Sequence, residues 1–217
     1  MPSLGSHPEG RIPAMSDKAM TLVPALIFFS IMALVLYAIW RRHQARIAAW
    51  AEFASRHDMS VDGLRIDGTY EGYPLRLETQ TRGSGKHRHT VAVLHLSTHG
   101  ALPPDFSLER EGLGDKVLKL FGRRDEEIGD EQFDRLFDLS NLSSSAARVL
   151  RNEAVQQHLY EMVKNYRTFH IHGGLIQAEH SHIPSTVDEL EEFTGPALML
   201  AHTLEEASRR SKGWTAG

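Results

Sequence analysis

No charged side chain occurs between Lys18 and Arg41, and the stretches 22–29 and 31–36 inside that gap are almost wholly apolar. As a helix rising 1.5 Å per residue, positions 19–40 would extend about 30 Å, the thickness of a bilayer's hydrocarbon layer. Hydrocarbon offers no partner for backbone amides, so such a stretch crosses a membrane only as a helix. Pro24 falls in its first turns, where a missing donor costs little. The sequence therefore predicts a transmembrane helix over residues 19–40. Leu22, Phe28 and Leu34 are its apolar anchor residues, Tyr37 and Trp40 its headgroup-level rings, and Arg41 and Arg42 its flanking cations. A cleaved signal peptide is the alternative. It is disfavoured because the preceding segment has no basic region, the apolar run is long, and Trp40-Arg41-Arg42-His43 offers no small-residue cleavage site.

Charge sets the expected orientation. Arg11 and Lys18 before the helix are balanced by Glu9 and Asp17, whereas Arg41, Arg42 and Arg46 follow it with no acid until Glu52. A cationic flank stays on the cytoplasmic side, which places the C-terminal domain in the cytoplasm and leaves residues 1–18 as a flexible tail opposite. The whole chain has 217 residues, a formal charge of −4 and no cysteine. That length suits one domain and an anchor, and the scattered cations give no basic stripe for nucleic acid. Absence of cysteine excludes disulfides, thiol catalysis and cysteine-ligated zinc.

Beyond the anchor, Ile47, Trp50, Phe53 and Ala54 recur at helical spacing, predicting a juxtamembrane helix over 41–58. An α+β domain over 59–208 follows, with a frayed tail over 209–217. Leu64, Ile66 and Thr69-Tyr70, the turn Glu71-Gly72-Tyr73-Pro74, and then Leu75, Leu77 and Thr79 make a β-hairpin. Residues 90–97 read as a third strand and Phe106-Ser107-Leu108 as a fourth. Gly114-Asp115 opens a short helix through Val117, Leu118 and Phe121, and a charged loop spans 123–127. Residues 133–139 look extended. Ser143 to Ser145 cap one long helix whose stripe is Val149, Leu150, Leu159, Met162, Val163 and Tyr166. Phe169 and Ile171 alternate with His170 and His172 before a Gly173-Gly174 turn and a returning strand with Ile176 and Ala178. Thr186 and Glu189 form a capping box for a final helix, which Gly195-Pro196 should break or kink. The fold class expected is α+β, a mainly antiparallel sheet with two packing helices in the order strands, helix, hairpin, helix.

The motifs Gly68-Thr69-Tyr70-Glu71-Gly72, Gly129-Asp130, Phe133-Asp134 with Phe137, and Arg148 with Leu150 accompany the membrane helix and the Trp50 to Phe53 segment. In this order they resemble a family of bacterial single-span, membrane-anchored proteins of unknown function. The resemblance covers about three quarters of the chain and implies no activity for any residue.

Chemistry-bearing residues are sparse in pattern. The 13 histidines include the pairs His87/His89, His170/His172 and His180/His182. Residues two apart on a strand share a face, so a pair could offer two imidazoles to one divalent metal, with Glu179 as an oxygen donor. His170 and His172 are the best-placed pair, although a solvent-facing strand shows the same alternation. Asp130, Asp134 and Asp138 invite a metal or general-base reading, against which stands simple solvation or capping of a turn. No Gly-x-Ser-x-Gly elbow, phosphate-binding loop, dinucleotide fingerprint or His-Glu-x-x-His occurs. The leading expectation is thus a membrane-tethered, non-enzymatic interaction domain with the bilayer and a protein partner as its contacts. A metal-binding or metal-sensing domain and an accessory subunit of a larger membrane complex are the alternatives.

Overall fold

The computed structural model describes residues 17–110 and 127–213, with side chains from residue 26 onward. Residues 1–16 of the expected tail, the Leu22 side chain, the helix expected at Gly114-Asp115 and most of the charged loop lie outside that range, while Asp17 and Lys18 already belong to the first helix. Helix α1 is continuous over Asp17–Arg56, and residue contacts divide the chain into one unit ending at Gln44 and a second beginning at Ala45.

The second unit is α+β. Strands β1 (Ser60–Val61), β2 (Arg65–Tyr70), β3 (Tyr73–Arg82), β4 (His89–Ser97) and β5 (Ser107–Arg110) precede the one-turn helix α2 (Glu131–Asp134) and β6 (Phe137–Ser140). Helices α3 (Ser144–Leu150) and α4 (Glu153–Asn165) follow, then β7 (Thr168–His172), β8 (Leu175–His180) and α5 (Val187–Gly213). All eight strands join one sheet in the order β1-β2-β3-β4-β8-β7-β5-β6, with each neighbouring pair antiparallel. The two hairpins read from sequence are therefore halves of one sheet, sutured where β4 meets β8.

Period-two patterning explains which face is covered. Leu75, Leu77, Ala92, Leu94, Leu96, Phe169, Ile171, Ile176 and Ala178 join the core with the apolar sides of α3, α4 and α5 and with Trp50, Phe53 and Ala54 of α1. Val91 and Val93 alternate with those core residues and point the other way, yet both are fully buried. Val93 lies between Glu78 and Glu179 in the register. Side chains on that opposite face pair with one another: Arg82 with Glu179, Gln80 with Glu78, and His95 with Glu78. Among the described residues, that face carries no α-helix, and a polar mosaic flanks the two buried valines.

Four local expectations change. The segment expected to be extended opens with α2, because the Asp130 carboxylate accepts from the Gln132 and Phe133 amides and so starts a helical turn. The single long helix is two, since the Asn152 side chain accepts from Ala154 N and restarts the helix as its N-cap. Pro196 does not break α5. Its missing donor frees only the carbonyl of exposed Glu192, which faces water. Finally, α5 continues through Gly213, into the stretch read as frayed, because Ala207 and Ser208 are still buried against the fold.

Candidate functional site

The described anchor side chains of the first unit are exposed: Phe28, Leu34, Tyr37 and Trp40, with Leu34 at 70%, and Arg41 and Arg42. Tyr37 and Trp40, one helical turn apart, bring their rings to 6.0 Å. The helix is long and apolar enough to cross a membrane, a property that a signal sequence shares.

His170 and His172 do share one face of β7, the one opposite the core residues Phe169 and Ile171, as alternation requires. Their cross-strand neighbours are Gln177 and Glu109 for His170, and Leu175 and Ser107 for His172. Glu179 does not join them, being opposite Thr168 and committed to Arg82. His95 occupies the same row as His170 with Gln177 between them. Its pKa is lowered, chiefly by burial, with Glu78 opposing and with Arg76 and His170 adding to the shift.

The other two pairs are engaged locally. His89 donates through Nδ1 to the His87 carbonyl at 3.1 Å and accepts at Nε2 from Arg167 at 2.7 Å, a tautomer that uses both ring nitrogens. His180 Nδ1 accepts from the His182 amide at 3.1 Å. Among the described residues, no group of three or more His, Asp or Glu side chains is placed to hold a metal ion.

The pair His180/His182 does lead to a cleft that the sequence did not reveal. It has a volume of about 390 Å³, between the end of β8, the end of α4 and the start of α5, and is lined by both imidazoles, Glu189, Glu192, Asn165 and Phe193. Glu189 accepts from Ser185 N at 2.6 Å and Ser185 Oγ at 3.0 Å, and its Oε2 lies 3.4 Å from His182 Nε2. The Ser185 amide above all, then the Ser185 hydroxyl and His182, holds the Glu189 carboxyl below its ordinary pKa against the opposing effect of burial. Glu189 is thus a fixed anion that ties down the loop entering α5. The capping box is half made: Thr186 Oγ1 accepts from Glu189 N, while the glutamate turns to Ser185 instead.

The aspartates serve the backbone. Asp130 caps α2, and Asp134 accepts from the amides of Ile128 and Gly129, both at 3.0 Å. Gly129 has φ +87°, which explains a glycine before that cap. The Gly129-Asp130 and Asp134 motif is consequently a folding knot of carboxylates on amides. Asp138 sits on β6 opposite Glu109, four residues on but on a different element.

Two groups missed in the sequence tie the fold together. Trp50 Nε1 donates to Pro184 O at 2.9 Å across 134 positions, and Tyr73 Oη donates to Glu205 at 2.7 Å. Neither bond has a sequence signature, because each joins residues far apart in the chain.

No protein-family model matches the chain, and neither the curated proteins nor the solved structures searched include a match. The resemblance drawn above rests on its short motifs alone.

Proposed function

We propose that the chain is a single-pass membrane protein whose N-terminal helix tethers a non-enzymatic interaction domain to a bilayer. The observation that carries this reading is the exposure of twelve large apolar side chains between Leu26 and Trp40. Keeping them in water would cost on the order of 20 kcal/mol, at about 1.5–3 kcal/mol per large side chain. A folded domain has only about 5–15 kcal/mol of net stability, so lipid is the natural cover for this surface. The adjacent cations Arg41, Arg42 and Arg46 favour a cytoplasmic domain. Engagement of His89, His180, His182, Asp130 and Asp134 in caps and local hydrogen bonds supports a recognition role over catalysis, with a protein at the membrane as partner.

The test has two readings from one preparation. Full-length protein should stay with the membrane pellet in alkaline carbonate and retain residues 1–40 by intact mass. Release into the supernatant, or recovery of a chain cut near residue 40, overturns the tether. Because the chain has no cysteine, Ser84→Cys in an exposed loop is a unique thiol. It should react with a membrane-impermeant maleimide only after cells are opened.

A further inference from the structure

A second cleft, of about 360 Å³, lies where the 100–104 loop meets the N-terminal part of α3 and the C-terminal end of α5. Its volume falls within the range of small-ligand sites. The chain carries more acids than bases, 28 against 24, yet among the described residues this lining contains Arg148 and Lys212 and no Asp or Glu. Three hydroxyls, from Ser145, Ser208 and Ser211, complete its polar wall, and Ala101, Leu102, the two prolines and Val149 form an apolar one.

Among the described residues, Ser208 and Arg148 both present unused donors to this cleft. Ser208 is only 5% exposed, lines the cleft, and its hydroxyl has no hydrogen-bond partner among the described residues, unlike the helix hydroxyls of Thr194 and Thr203. Its oxygen is not fully buried, so it keeps access to the cleft and offers a donor and an acceptor to whatever enters. Arg148 likewise has no ion-pair or hydrogen-bond partner among the described residues, although most other arginines of the domain pair with a carboxylate. We propose that this cleft binds a phosphomonoester, its phosphoryl oxygens held by Arg148, Lys212 and the serine hydroxyls and its organic part laid on Leu102, Pro103 and Val149. Several acceptor oxygens match the many N–H and O–H donors, and guanidinium pairs with phosphate in a two-pronged geometry.

The test uses the full chain in nanodiscs of phosphatidylcholine, titrated by calorimetry with butyl phosphate and, separately, inorganic phosphate. Butyl phosphate should bind saturably at one per chain and more tightly than inorganic phosphate. Arg148→Ala should weaken it at least tenfold, and Ser208→Ala several-fold, with thermal unfolding unchanged. Arg148 is exposed and alanine favours a helix, so both variants should fold. Absence of binding at millimolar concentration, or binding that neither variant alters, overturns the site. Discs containing phosphatidic acid identify the natural source. Competition with butyl phosphate in the wild type, lost in Arg148→Ala, assigns a lipid headgroup, and unchanged affinity assigns a soluble phosphomonoester.

Discussion

Trp50 shows how one side chain can do two jobs. Fully buried, it packs in the core, and its indole N–H satisfies the buried Pro184 carbonyl. Trp50→Phe retains most of the packing but orphans that acceptor, so it should destabilise the domain by about 1–3 kcal/mol in urea unfolding. A loss no larger than that of an exposed substitution would mean the carbonyl finds another partner. Tyr73 makes a different demand, on pH. Burial first, then its bond to Glu205, pushes the phenol from 10.0 to about 12. A folded-state pKa above the unfolded one gives stability that is complete below pH 10 and lost as pH rises toward about 12. Thermal melts at stepped pH should therefore fall through that window, and Tyr73→Phe should flatten the fall. Glu205 has the opposite sign. Its carboxyl is held below 4.5, mainly by the Tyr73 hydroxyl, so its contribution is present above 4.5 and disappears as pH falls through the lowered value. The helical spacing of Trp50 with Phe53 was legible in the sequence, but its hydrogen bond was not.

Local chemistry was most legible where a short segment decides its own structure. The turn between β2 and β3 has positive φ at both central residues, Glu71 at 50° and Gly72 at 89°, as the right-handed twist of a two-residue hairpin requires. Gly72 meets that demand freely, while Glu71 is strained. Glu71→Asn should thus stabilise the domain by about 0.5–1 kcal/mol, read as a raised urea midpoint with an unchanged slope. A lowered midpoint would show that the glutamate has a compensating contact. Gly68, in the same motif, answers to tertiary structure instead. A Cβ there would come within 2.5 Å of Met59 Cγ, so the glycine is fixed by a neighbour nine positions earlier. The misread elements fail for the same reason of scale. Asn152 ends one helix and begins another through a bond to an amide two positions on, a competition that the apolar stripe spanning both helices conceals. Pro196 carries a strong breaking signal, yet packing of Phe193, Ala197, Leu200 and Ala201 into the core holds α5 together across it.

At the scale of the molecule, period-two strands and apolar helix stripes suffice to indicate an α+β class, but not that β4 would pair with β8. That suture joins segments about eighty positions apart, and both strands carry the same inward alternation that many other pairings would satisfy. It also sets Val93 between Glu78 and Glu179, a neighbourhood that no linear pattern contains. The division at Gln44 and Ala45 has a further consequence. Trp50, Phe53 and Ala54 belong to the core, so the domain needs the end of α1, whereas residues up to Gln44 contribute no buried side chain among those described. A chain beginning at Ala45 should accordingly express as a soluble protein and unfold in a single cooperative transition, whereas the full chain requires detergent or lipid. Starting instead at Asp58 removes Trp50 and Phe53, each such loss costing about 3–5 kcal/mol, and should leave no cooperative melt. If the chain from Ala45 aggregates while the full chain stays soluble without detergent, the apolar helix serves folding, and the membrane tether is wrong.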